Sequence, residues 1–182
     1  IKWTSASWCE DQDFFRFSGI FRSVWLLAVP QAHLADIRLD PALSADYSAG
    51  VLHARIRTEG AGTLCAALYD GARRIAGTEQ PFAAGGDVTF ALDVPAPKLW
   101  SAETPCLYRL RLTVRDAAGA VCEAAEQKFG FRRFEIRNGI MELNGRRIVF
   151  RGVNRHEFSA RTGRAVTRAE TLQDVVTMKK NN

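Results

Sequence analysis

Two short stretches carry the residue types from which a binding or catalytic site could be built. The first is Asn154-Arg155-His156-Glu157. It is predicted to follow a strand and to precede a loop and a helix. In a (β/α)8 barrel, polar residues at the C-terminal end of a strand face the active site. There His156 could donate to a sugar hydroxyl or stabilise a charged transition state. A polar surface turn is the plainer alternative. The His-Glu pair is not a zinc motif, because no second histidine follows at the His-Glu-x-x-His spacing. The second stretch is Glu10-Asp11-Gln12-Asp13, set among aromatic residues. Its hard carboxylate oxygens could hold a cation or fork onto sugar hydroxyls. A solvated acidic turn paired with Arg16 and Arg22 is the alternative, and the spacing is not that of a calcium loop.

The elements that must position these residues are mostly strands. The first thirty residues are rich in aromatics, and Val24 to Val29 is predicted to be a buried strand stopped by Pro30. That segment is too short to be a domain, and we expect it to be the last strands and a loop of one. From about Gln31 to Lys128, short apolar runs alternate with turn signals. They comprise Leu34 to Leu39, Val51 to Arg57, Leu64 to Tyr69, Val88 to Val94, Leu107 to Val114 and Val121 to Phe129. Roughly seven strands in about 100 residues, without helical periodicity, predict an immunoglobulin-like β-sandwich. Pro95, Pro97 and Pro105 mark a connection outside the sheets.

After Gly130 the pattern changes. Ile140 to Leu143 and Arg146 to Phe150 flank Asn144-Gly145, the strongest two-residue hairpin signal. Thr167 and Glu170 have the spacing of a capping box, which opens a helix with Ala169, Leu172, Val175 and Val176 on its apolar face. A strand, a long loop and a helix form the first unit of an α/β repeat. One such unit cannot cover both faces of its own strand.

Composition sets the bounds. The chain has 182 residues, 47% hydrophobic and 25% charged, enough for one core or a little more. The net charge is +5, with Arg132, Arg133, Arg137, Arg146, Arg147, Arg151 and Arg155 crowded together. No helix-turn-helix, zinc or RNA-recognition motif accompanies that charge, so no nucleic-acid partner is expected. No apolar run approaches the roughly 18–20 residues of a membrane span. The opening residues show no signal-peptide pattern. Cys9, Cys65, Cys106 and Cys122 have no metal spacing. They fit free thiols in a reducing cytoplasm better than a disulfide framework.

Three stretches together resemble one family. Glu10-Asp11-Gln12-Asp13-Phe14-Phe15-Arg16-Phe17-Ser18-Gly19-Ile20-Phe21-Arg22 is similar to the end of the sugar-binding jelly-roll domain of the lac-type β-galactosidases, in glycoside hydrolase family 2. Leu99-Trp100-Ser101 with Pro105-Cys106-Leu107-Tyr108 resembles the same family's immunoglobulin-like second domain. Gly130-Phe131-Arg132 through Asn144-Gly145, and Arg151-Gly152-Val153-Asn154-Arg155-His156-Glu157, resemble the entry into its catalytic barrel. The β-glucuronidases carry a related Asp-Phe-Phe segment. The acidic run and the Gly-Val-Asn-Arg-His-Glu run point to the galactosidase branch.

The resemblance implies a mainly β chain in three parts: 1–30, the end of the jelly roll; 31–130, the sandwich; and 131–182, the opening of the TIM barrel. It implies hydrolysis of terminal β-D-galactosides with retention of configuration, with Asp13 and His156 as substrate-binding residues. Asp13 would lie near the galactose 6-hydroxyl and a bound sodium, and His156 near the 3-hydroxyl. Such hydrolysis needs two carboxyl groups about 5–5.5 Å apart. Asp11, Asp13, Asp36, Asp70, Glu103 and Glu157 supply no convincing pair, and His33 and His53 fit packing or surface roles. The family's two catalytic glutamates and its magnesium ligands are expected further along than Asn182, as is its Arg-x-Ser-His-Tyr-Pro run. No catalytic residue is expected within the chain, and alone it is expected to be inactive and to bind neither Mg2+ nor Na+. The whole protein is expected to be a cytoplasmic homo-oligomer. Phe158-Ser159 departs from the family, whose members often continue with further histidines. The alternatives are a non-catalytic sandwich module for interaction or carbohydrate binding, a piece that complements the rest of an enzyme, and a β-glucuronidase-type enzyme.

Overall fold

The computed structural model describes residues 19–83 and 86–181. They divide into two compact units: residues 28–150, and residues 19–27 together with 151–181.

The larger unit is the sandwich. One sheet is antiparallel in the order β1 (His33–Leu43), β2 (Ala49–Glu59), β5 (Asp87–Pro95). The other has β3 (Gly62–Asp70) and β6 (Tyr108–Arg115) at its centre, with β4 (Arg73–Phe82) and β7 (Val121–Phe129) at its edges. Alternation builds the core. Leu52, Ala54 and Ile56 of β2 point inward, as do Leu64, Ala66 and Leu68 of β3 and Leu110, Leu112 and Val114 of β6. Residues two apart share a face of a strand, so these three central strands each give one buried row. Tyr108, Phe129 and Phe131 close one end, the Tyr108 and Phe131 rings meeting edge to face at 5.3 Å. Thr58 is fully buried, and its hydroxyl donates to the Gly86 carbonyl at 3.0 Å.

The expected sandwich is present, with one strand that the apolar runs do not mark. β4 contains Arg73, Arg74, Gly77 and Pro81 and shows no alternation. It pairs only with β3 and forms an edge, where Pro81 opposite Thr63 breaks no central ladder.

Beyond the sandwich, β8 (Phe134–Arg137), β9 (Ile140–Leu143) and β10 (Arg146–Arg147) form a three-stranded meander. Both of its turns are Asn-Gly. Asn138 and Asn144 each have φ of 51°, followed by Gly139 at 77° and Gly145 at 71°. Two successive positive φ values are what a type I′ hairpin turn requires.

The second arm of the expected hairpin is shorter than its apolar run. β10 ends at Arg147, and residues 148–157 belong to no strand. The strand expected before Asn154-Arg155-His156-Glu157 therefore stops well short of that run. A strand is defined by its ladder: the Ile148 amide still donates to the Met141 carbonyl at 2.9 Å, but no described residue forms a ladder with residues 149–157.

In the smaller unit the predicted helix is α1 (Arg168–Lys180). Its capping box is complete: the Thr167 hydroxyl accepts from the Glu170 amide at 3.2 Å, and the Glu170 carboxylate accepts from the Thr167 amide at 2.8 Å. The apolar side is not buried, with Leu172 and Val175 more than half exposed. None of the described residues of this unit is buried. No helix among the described residues is long and apolar enough to cross a membrane.

Candidate functional site

Asp13 and the rest of its acidic run lie outside the described residues. His156 lies in the segment between β10 and α1, and it is exposed. The residues on either side of it are fastened by charge.

Arg155 reaches α1, where both its Nε and Nη2 donate to Asp174 Oδ2, at 2.9 Å and 2.5 Å. Glu157 accepts from Arg22 Nη2 at 2.5 Å. The same guanidinium donates through Nη1 to the Arg164 carbonyl at 3.1 Å. Arg22 and Arg164 both lie against the Phe21 ring, at 5.3 Å and 4.6 Å from its centroid. The Ser159 hydroxyl donates to Glu170 Oε1 at 3.0 Å, and Ser159 and Gly163 exchange two backbone hydrogen bonds across the loop. Glu170 therefore serves the helix cap and the loop together. Its carboxyl is held below the ordinary range, first by the Thr167 amide, then by the Thr167 and Ser159 hydroxyls.

Every acidic residue described in this unit is thus committed. Arg22 holds Glu157, the cap holds Glu170, and Arg155 holds Asp174. Among the described residues of this unit, no carboxylate is without a partner. No group of three or more His, Cys, Asp or Glu among the described residues could hold a metal ion. What the arrangement offers is an exposed imidazole, suited to hydrogen bonding with a polar ligand. The sequence signal for His156 was the motif itself. The partners Arg22 and Asp174 had none, since they lie 135 positions from Glu157 and 19 from Arg155 respectively.

The motif residues in the sandwich unit prove to be structural. The Trp100 amide donates to the Phe131 carbonyl at 2.8 Å, and the Trp100 carbonyl accepts from Asn144 Nδ2 at 3.1 Å. Asn144 Oδ1 accepts from the Arg133 amide at 2.9 Å, so one turn residue latches the meander to the sandwich. Arg133 in turn caps the carbonyls of Leu43 and Ser44, at 2.5 Å and 2.8 Å, and stacks on Tyr47. A shallow cleft of about 520 Å3 is lined by Asp40, Trp100, Leu107, Phe129 and Arg132. The Arg132 guanidinium lies 4.7 Å from the Trp100 ring centroid, so one face of that ring is taken by a cation rather than open to a sugar. Cys65, Cys106 and Cys122 are free and half-buried.

A sandwich followed by a segment with barrel-type motifs is the chain order of a modular glycoside hydrolase. Residues 32–132 match the model of glycosyl hydrolases family 2, and residues 134–182 match the model of that family's TIM barrel domain. The chain belongs to glycosyl hydrolase family 2.

Among curated relatives, the β-galactosidase of Halalkalibacterium halodurans is 45% identical over 183 residues, covering 98% of this chain and 18% of that protein. The β-galactosidase of Aeromonas hydrophila is 44% identical over 193 residues, covering all of this chain and 19% of that protein. The chain thus spans about a fifth of the length of the relatives it matches. Among solved structures, the apo β-glucuronidase 3 of Bacteroides uniformis has a TM-score of 0.82 and 25% identity, covering 93% of this chain and 22% of that one. The β-glucuronidase of Ruminococcus gnavus with D-glucuronic acid has a TM-score of 0.78 and 26% identity, covering 92% and 28%.

Proposed function

We propose that the protein containing this chain hydrolyses terminal non-reducing β-D-galactose residues, as in lactose-type substrates, with retention of configuration. The observation that carries the reading is 45% and 44% identity along the chain to two β-galactosidases. Two β-glucuronidases with the same architecture share only 25% and 26%. In this reading residues 1–30 close a sugar-binding jelly roll, 31–130 are the sandwich, and 131–182 open the catalytic barrel. Asp13 and His156 are substrate-binding residues supplied by the first and third of these parts. An exposed imidazole with anchored neighbours supports that role for His156. It can hydrogen-bond a hydroxyl more strongly as charge develops on the sugar, which favours the transition state over the ground state.

Retention needs a nucleophile and an acid–base carboxyl about 5–5.5 Å apart, and we assign both to positions outside residues 1–182. The family also implies sodium, at Asp13, and magnesium. Among the described residues no group of three or more His, Cys, Asp or Glu could hold a metal ion, and no step of this reading runs through one. The whole protein is proposed to be a cytoplasmic homo-oligomer.

The test compares chromogenic β-galactoside and β-glucuronide as substrates of the complete reading frame. Galactoside turnover is expected to dominate, and a preference for the glucuronide would sink the reading. The 182-residue chain alone is expected to show no turnover above background with either substrate. The complementation alternative predicts activity when the chain is mixed with the flanking pieces.

A further inference from the structure

We propose that Arg22 is a positioning residue for His156, setting the imidazole by holding both ends of the loop that follows it. This rests on the reading above in one respect only, the assignment of His156 to the substrate.

Three alternate positions around His156 are each tied to a different point of the unit. Arg155 is tied to Asp174 on α1, Glu157 to Arg22, and Ser159 to Glu170 in the helix cap. With Arg155, Glu157 and Ser159 each anchored, the backbone on both sides of residue 156 is pinned, which narrows the directions its imidazole can take. Two of these ties are local to the loop and helix. The third is not, because Arg22 comes from a segment 135 positions away.

Arg22 also does more than form one ion pair. Its two terminal nitrogens reach Glu157 and the Arg164 carbonyl, so one planar guanidinium spans the loop from entry to exit. Phe21 supports that plane, and Arg164 lies against the same ring. The Arg22 and Glu157 side chains are 52% and 56% exposed, so the pair contributes little to stability. Its consequence is geometric. Arg22 also lies nine residues after Asp13. The segment that carries one proposed sugar contact thereby holds the loop that carries the other.

Two measurements test this. The chain has three histidines, so its imidazole proton–carbon spectrum is simple, and His156→Gln identifies the His156 signal by its loss. Arg22→Ala is expected to move that signal and leave those of His33 and His53 in place, and Glu157→Gln is expected to move it in the same way. A His156 signal unmoved in both variants overturns the proposal, whatever the whole protein hydrolyses. In the complete enzyme, Arg22→Ala is expected to lower kcat roughly 10- to 100-fold while changing KM less than about threefold, the pattern of a misplaced group. In a His156→Ala background the same change is expected to cost less than about threefold, because the two residues act as one unit. Arg22→Lys, which keeps the charge and loses the fork, is expected to recover only part of the rate. Equal losses in both backgrounds overturn the proposal. If the imidazole moves as expected but the complete enzyme ignores galactosides, the substrate reading fails and the positioning role stands.

Discussion

The two units of this chain are held together by different means. Residues 28–150 enclose a core in which Leu52, Ile56, Leu68, Leu110, Leu112 and Val114 are fully buried. Residues 19–27 and 151–181 bury none of their described side chains, and ion pairs, a helix cap and rings lying under guanidinium groups tie them together. Apolar burial is worth about 25 cal/mol per Å2 and tolerates little change in shape. Exposed charge pairs are worth about 0–1 kcal/mol each but specify direction.

The sharpest test sets leucine against leucine. Leu110 has no exposed surface, while Leu172 on α1 is 58% exposed. Leu110→Ala is expected to cost about 2–5 kcal/mol in urea unfolding, from lost burial plus a cavity. Leu172→Ala should stay within about 0.5 kcal/mol. Equal costs would mean that the apolar side of α1 is covered, and the contrast between the units would collapse.

A smaller effect probes how tightly the sandwich unit ends. A Cβ added at Gly130 would stand 2.7 Å from Trp100 Cβ and 2.9 Å from its ring atoms Cγ and Cδ1. Trp100 is held at both its amide and its carbonyl, so it cannot simply turn away. Gly130→Ala is expected to cost about 1–3 kcal/mol, the usual range for overpacking. A shift in tryptophan emission should accompany it. An unchanged midpoint and spectrum would show that this end of the sandwich is loose, like the second unit.

The same contrast explains what could be seen in the sequence. The central strands were legible because β2, β3 and β6 are half-buried ribbons whose alternation is written into Leu52-His53-Ala54-Arg55-Ile56 and its counterparts. Edge strand β4 was not legible, because an edge needs few buried residues and its Arg73-Arg74 opening reads as a turn. Asn144-Gly145 and the Thr167 capping box were legible because both are local rules satisfied within four residues. Asn138-Gly139 makes the same turn, but β8 before it has only four residues and reads weakly alone. The motif pointed to His156, yet the ties that hold it were invisible. Pairing of Arg22 with Glu157 depends on the fold bringing position 22 to position 157, and charge alone carries no such address.

The meander allows the value of a latch to be isolated. Asn138 and Asn144 share φ of 51° at the first position of equivalent turns. Replacing either with alanine imposes the same backbone strain. Only Asn144 also bonds the Arg133 amide and the Trp100 carbonyl, at 2.9 Å and 3.1 Å. Asn144→Ala is therefore expected to destabilise by about 1–2 kcal/mol more than Asn138→Ala, the worth of two hydrogen bonds. Equal losses would show that the meander is not latched to the sandwich through this residue.

The smallest expected effect separates the units by acid. In the sandwich unit, Asp46 Oδ1 accepts from the Ser44 hydroxyl at 2.7 Å, the Ser48 hydroxyl at 2.8 Å and the Ser48 amide at 3.2 Å. These bonds, Ser44 foremost, favour the carboxylate and lower its pKa from an ordinary 3.8 to about 2. In the other unit, Glu170 is lowered as well, by the Thr167 amide first. Both groups release their protons more readily when folded, so each contributes fully above its ordinary value. The contribution is lost as pH falls through the folded value, where the native state takes up the proton. Carboxyl-carbon NMR is therefore expected to show Asp46 titrating near pH 2, and Glu170 titrating below its ordinary 4.5. Ser44→Ala should raise the Asp46 midpoint toward 3.8 and leave Glu170 unmoved. Because α1 lacks buried side chains, protonating Glu170 should be followed by loss of helical circular dichroism, whereas protonating Asp46 should leave the sandwich signal in place. If the two signals fade together, the units unfold as one body and the burial that distinguishes them does not set their stabilities.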